Sequence, residues 1–303
     1  MHLLPLSLLL ATGLSLEAQT KPAPALPHKV VRDWAQLPKG LNFGEVSGVD
    51  VDKNDNVWVF NRGQRAVIQF DKNGKMLQAW ADVPVKSSHG IRVGPDGNIW
   101  LIDVAGHAMI EMSPDGRVRR VWAQAGNAAG NNDSKYGFNR PTALTFHSSG
   151  DIYVSDGYVN SRVVRYRKDG TYVQHWGKKG TGDGEFDIAH DVTIDRNGRV
   201  YVADRTNNRV QIFAADGKFL GKWTGIGQPW GLYYAAKENV IYMADGENNR
   251  ISKLNLDGQV LGTLSEFGKE QGKLDFAHHL AVDSAGAIYV AEIKNWRVQK
   301  FAR

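Results

Sequence analysis

The sequence predicts an all-β protein, a six-bladed β-propeller, on three observations. One pattern, clearest in Asn197–Gly217 (NGRVYVADRTNNRVQIFAADG), occurs six times, with its aromatic residue at Trp58, Trp100, Tyr153, Tyr201, Tyr242 and Tyr289. The steps run from 41 to 53 residues, the period of a propeller blade. Each copy joins two short alternating strands through a polar loop, and five of the six end on a D-G or N-G turn, the signature of antiparallel hairpins. The 33 glycines and 9 tryptophans suit a turn-rich β architecture.

In chain order, residues 1–18 are expected to be a secretory signal. The apolar stretch Leu3–Leu16 leads to a small-residue site at Leu16-Glu17-Ala18, although Met1-His2 supplies no basic side chain. The stretch is too short and interrupted for a membrane span. A periplasmic or secreted protein is therefore expected, with no membrane partner once the signal is cut. Residues 19–28, with Lys21–Pro27 (KPAPALP), read as a linker into one propeller domain over 29–303. The absence of cysteine excludes disulfides and thiolate metal sites. The formal charge of +5 comes from scattered Lys and Arg without a basic stripe, so no nucleic-acid partner is expected. A monomer is expected.

Each blade reads as four strands. In blade two these are His89–Val93, Ile99–Ile102, Ala108–Met112 and Val118–Trp122, separated by the turns Pro95-Asp96-Gly97 and Asp115-Gly116. Fourth strands share a signature, GKMLQAW, GRVRRVW, GTYVQHW, GKFLGKW and GQVLGTL. Blade six has none before Arg303, whereas Val30–Gln36 (VVRDWAQ) matches Val118–Gln124 (VRRVWAQ). The N-terminal segment is thus predicted to supply the outer strand of the last blade and close the ring.

Asp103, Asp156, Asp204 and Asp245 after the second strands, and Arg162, Arg209, Arg250 and Arg297 opening the third, recur by register. Such recurrence reads as scaffold, fixing each loop between second and third strands. The residue opening each innermost strand varies instead: Ser47, His89, Thr142, His190, Trp230 and His278. In a six-fold ring, alternate blades are related by roughly 120°, so His89, His190 and His278 are predicted to converge on the axis. Three imidazoles with an open fourth position describe a catalytic zinc site; copper, nickel or iron also accept such a set. His107, His147 and His175 fall in other registers. The loops between second and third strands lie on the same face as the histidines. Two of them are unusual: Asn61-Arg62-Gly63, whose Arg62 could grip a carboxylate bidentately, and Asp156–Arg162, whose Tyr158 could transfer protons beside a cation.

These residues resemble the peptidyl-α-hydroxyglycine α-amidating lyases (peptidylamidoglycolate lyases), within the NHL-repeat propellers. The likeness covers essentially all six blades and is carried by VSGVDVD (Val46–Asp52), FNRG (Phe60–Gly63), HGIRVGPDGNIWLIDVAGH (His89–His107), RPTALTF (Arg140–Phe146), SDGYVNSRVV (Ser155–Val164), AHDVTI (Ala189–Ile194) and VADRTNNRVQIF (Val202–Phe213). The resemblance implies that His89, His190 and His278 bind zinc, that Arg62 binds substrate and that Tyr158 is catalytic. It implies a peptide substrate ending in α-hydroxyglycine, or a similar small carbinolamide, cleaved to glyoxylate and a C-terminal amide. The family pattern Met-Pro-His-Asp reads Phe276-Ala277-His278-His279 here, so Phe276 replaces a site-lining methionine and His279 an aspartate linked to structural calcium. Asp52 matches another calcium-site position, so calcium is a second possible ion. Val159 stands where the family has a cysteine. Register with His89 and His190 favours His278 over His279 as the third ligand. Two other classes remain: a non-catalytic NHL-repeat propeller binding a protein or peptide on its upper face, and a calcium-dependent lactonase-like propeller.

Overall fold

The computed structural model describes residues 23–123 and 129–303. The predicted signal and its cleavage site lie outside the described residues, as does Gln124. Within them, strands form six four-stranded antiparallel sheets, five built from consecutive strands. In blade two the strands are Ser88–Val93, Ile99–Asp103, Ala108–Met112 and Val118–Trp122, each within one residue of the expectation.

Position in the blade follows from side-chain pattern. Second strands such as Val57–Asn61, Ile99–Asp103 and Val200–Asp204 are buried along their whole length, because neighbouring blades cover both faces. Fourth strands meet solvent on their outer edge, and in Val118–Trp122 only the tryptophan is buried. That tryptophan packs on the second-strand aromatic of its own blade. The ring centroids are 5.3 Å apart for Trp58–Trp80, 5.8 Å for Trp100–Trp122, 6.1 Å for Tyr153–Trp176 and 5.2 Å for Tyr201–Trp223. Such pairs contribute roughly 0.5–1.5 kcal/mol beyond their buried area.

The sixth sheet contains the N-terminal strand, as expected: Lys29, Val30 and Val31 pair antiparallel with Ala302, Phe301 and Lys300. This strand, Lys29–Val31, is shorter than the seven-residue match. Asp33 takes a left-handed conformation (φ 50°), and its backbone N–H donates to Gln271. The turn carries Trp34 inward, where its ring centroid lies 5.1 Å from Tyr289 and 5.4 Å from Phe70. Trp34 thereby occupies in blade six the position held elsewhere by the fourth-strand tryptophan. The end of the expected linker also differs from prediction. Leu26 N–H donates to Thr263 O and Thr263 N–H to Pro24 O, so residues 24–26 line the outer strand Val260–Leu264 of blade five. An open sheet edge offers unpaired main-chain groups, and this segment satisfies them.

The recurrent acid–arginine pairs are structural, as read from register. Arg162–Asp156, Arg209–Asp204, Arg250–Asp245 and Arg297–Glu292 lie 2.6–2.9 Å apart. The Arg162 guanidinium also donates to the carbonyls of Asn132, Ser134 and Gly137. Arg162, Arg209 and Arg297 therefore tie down the connection entering the blade as well as its upper loop.

Candidate functional site

The first strands Ser88–Val93, Ala189–Ile194 and Ala277–Val282 bring His89, His190 and His278 to the axis. One ligand atom of each falls within 4.8 Å of the others, and all three residues are buried. The intervening blades orient them. Nδ1 of His89 lies 2.6 Å from Thr142 O, that of His190 2.6 Å from Trp230 O, and that of His278 2.6 Å from Ser47 O. Each acceptor is the carbonyl of the next slot residue around the ring. Donation from Nδ1 fixes the tautomer and turns the Nε2 lone pairs toward the centre, the arrangement in which imidazole binds a metal. Burial holds all three imidazoles well below their ordinary pKa, and neighbouring cationic groups push in the same direction. Neutral, preoriented imidazoles fit a zinc ion.

The adjacent His279 is excluded from this set by its neighbours. Its Nδ1 is 2.7 Å from Ser47 O, and its Nε2 faces Asp191 Oδ2 at 3.6 Å. Beneath the triad, Arg92 runs into the channel and donates to both Asp191 oxygens at 3.3 Å, to Leu232 O and to Ile91 O. Burial disfavours the Arg92 charge, yet Asp191 and Asp50 outweigh it and raise its pKa. A guanidinium thus already supplies positive charge in this layer. Asp52 lies apart, in the turn between the first two strands of blade one. Its carboxylate accepts from Asn54 N, Asn56 N, Asn56 Nδ2 and Trp58 Nε1. Neither place fits calcium.

Tyr158 joins the triad from the loop of blade three. Its Oη lies 3.1 Å from Nε2 of both His89 and His190. The approach requires Gly157 before it, since a Cβ there would stand 2.0 Å from Ala189 O. Val159 points to solvent, 57% exposed. Arg62 lies at the edge of the site: its Nη1 meets Glu45 Oε2 at 2.5 Å, and its Nε and Nη2 donate to Ser88 O. Beside it opens a cavity of about 430 Å³ lined by Phe43, Glu45, Arg62 and Trp296 among others. Phe276 packs edge-on against Trp230 (4.3 Å), and Trp230 in turn adjoins His190 and His278.

Arg205 is a site residue that sequence reasoning missed. Its Nη1 is 3.4 Å from Tyr158 Oη, and its guanidinium lies 5.3 Å from the Tyr158 ring centroid and 4.5 Å from that of Trp230. Register carried the signal. Arg62 and Arg205 each follow the last residue of a second strand, and their backbone N–H groups donate to Glu45 O and Ile188 O, each two residues before the slot. They face the axis from blades one and four. The same ruler marks Asp191 and His279, which follow the slot where other blades have Gly48, Gly90, Ala143 and Gly231.

Fold and site define a six-bladed propeller with a trigonal histidine centre and a tyrosine hydroxyl against it. Among known families, the NHL repeat model matches residues 138–166 and 186–213. The chain is 43% identical over 89 residues to human NHL repeat-containing protein 3, covering 28% of this chain and 26% of that protein. It is 37% identical over 87 residues to the peptidylglycine alpha-amidating monooxygenase of Rattus norvegicus, 27% of this chain and 9% of that one. The peptidyl-alpha-hydroxyglycine alpha-amidating lyase 1 of Drosophila melanogaster is 30% identical over 96 residues, 28% of this chain and 18% of that one. The alignments thus span about a quarter or less of these relatives. A gluconolactonase from Xanthomonas campestris superposes with a TM-score of 0.65 at 15% identity, covering 93% of this chain and 96% of that one, a likeness of fold alone.

Proposed function

We propose that the protein is an exported, metal-dependent lyase that cleaves α-hydroxyglycine termini, or a similar small carbinolamide, to an amide and glyoxylate. The observation that carries this reading is Tyr158 Oη at 3.1 Å from two converging Nε2 atoms, His89 and His190. A hydroxyl so placed is suited to proton transfer at the point where the imidazoles meet. His89, His190 and His278 would hold zinc, which would supply Lewis acidity when bound.

The remaining roles belong to the chain. Arg205, with no acid partner among the described residues, grips the substrate carboxylate, while Arg62, held by Glu45, lines the opposite wall. Trp230 and Phe276 exclude water from one side. Tyr158 takes the carbinol proton as the C–N bond breaks and passes it to the departing amide nitrogen. The aldehyde of glyoxylate forms with no water and no redox partner consumed. The partial likeness to an amidating lyase supports the reading, and the leader-like residues 1–18 support export to the periplasm or medium.

The test is glyoxylate release from a hydroxyglycine-capped peptide by zinc-loaded protein. Stoichiometric zinc without glyoxylate from any such substrate would remove the reaction and leave the metal centre. No zinc, with a peptide still bound on the upper face, would favour a non-catalytic NHL-repeat propeller.

A further inference from the structure

We propose that the upper face selects a substrate with a second anionic group, on the acyl side of the bond that breaks. The preferred ligand is a peptide or N-acyl chain with Asp or Glu as the residue that becomes the terminal amide. The identity of the cleaved end rests on the lyase reading; the charge selectivity does not.

Three cations from three blades, Arg62, Arg140 and Arg205, flank Tyr158 and the triad, and a fourth, Lys294, stands over Phe276. The guanidinium of Arg140 lies 5.5 Å and that of Arg205 5.3 Å from the Tyr158 ring centroid, and Lys294 Nζ lies 5.1 Å from that of Phe276. Glu45 neutralises Arg62. Arg140, Arg205 and Lys294 form no ion pair among the described residues, and residues 124–128 contain no acid. In the corresponding loop of blade five, Glu247 stands at the register position of Lys294 and forms no ion pair among the described residues.

The contrast with the scaffold gives this meaning. Arg162, Arg209, Arg250 and Arg297 each have a carboxylate within 2.9 Å. Two guanidinium groups held against one phenol ring without such a partner repel one another, and an anion between them relieves that repulsion. One substrate carboxylate fills one bidentate grip. Arg205, within 3.4 Å of Tyr158 Oη, is placed for the cleaved end. Arg140 lies further out on the rim, exposed, with its carbonyl accepting from Tyr158 N–H. It is left to read the next residue of the ligand.

Calorimetry with zinc-loaded protein and product-type amides (N-acetyl-Ala-Glu-amide, its Gln and its Lys counterpart) tests this without turnover. The Glu amide should bind about 5- to 10-fold more tightly than the Gln amide, as expected for a charge-assisted contact. The preference should vanish near 1 M salt, where the Debye length is about 3 Å. Arg140→Gln should abolish it, and Arg140→Lys should retain part of it. Equal affinity for the Glu and Gln amides, or no measurable binding of the Glu amide, overturns the proposal. Matching hydroxyglycine peptides separate the two readings. Selective amide binding without turnover removes the lyase and keeps the anion selectivity, whereas equal kcat/KM with equal amide affinities does the reverse.

Discussion

The hydroxyl of Tyr158 stands 3.1 Å from Nε2 of His190, across the boundary between blades three and four. The contact exists because Gly157 lets the longer loop of blade three lie on Ala189. Tyr158→Phe removes the proposed proton carrier and leaves the imidazoles oriented by their own carbonyls. Glyoxylate release should fall by about 10²- to 10⁴-fold. Metal content, read by elemental analysis, should stay at the wild-type value.

His190→Ala takes one of three proposed ligands from a buried site. Wild-type protein should carry one zinc per chain, and the variant should lose it on dialysis. Chelation should lower the melting temperature of the wild type, because an ion bound only by the folded state stabilises it. The variant should show no such response.

Arg92→Met strands Asp50 and Asp191 in the channel without their counter-charge. Loss of one partner of a buried pair costs about 3–5 kcal/mol, visible as a lower midpoint in urea. Added calcium should leave the melting temperature of wild-type protein unchanged, since Arg92 already supplies the positive charge in this layer.

Trp34→Ala opens the seam of the ring. The side chain is 4% exposed and packs on Phe70 and Tyr289, and such truncations cost about 3–5 kcal/mol. Gly74→Ala should also destabilise the seam, because the new Cβ would meet the Trp34 carbonyl at 1.6 Å, and Gly74 holds φ +89°. Urea unfolding measures both.

Acid should loosen the same seam. Burial lowers the pKa of His28 below its ordinary 6.5, against its hydrogen bond to Gly286 O. Between 6.5 and the lower folded value the unfolded chain binds the extra proton, so stability rises with pH through that window. Stability present above 6.5 should therefore decline on acidification. His28→Gln should flatten that slope in melting temperatures taken across the window.

Much of the scaffold was legible in residues alone. A side-chain period of two, glycine at the turns and an aromatic every 41 to 53 residues follow from local backbone chemistry. They yield six blades, the slot shared by His89, His190 and His278, and closure by the N-terminal segment. Register was enough because identical positions in a closed ring must point the same way. Arg205 and Arg92 escaped notice although the same ruler passes through both. An arginine after a second strand, or inside a first, has no local signature that separates a solvated side chain from one turned inward.

Tertiary structure decided what depends on neighbours from other blades. The carbonyls of Thr142, Trp230 and Ser47 orient imidazoles 53, 40 and 231 residues away in sequence. Asp191, from blade four, faces the His279 imidazole and holds it apart from the triad that register assigns to His278. Arg62 is neutralised by Glu45, whereas Arg140 and Arg205 both lie against Tyr158. Sequence period sets the direction in which a side chain leaves its strand. Which charge, carbonyl or ring it meets there is set only when six blades close around one axis.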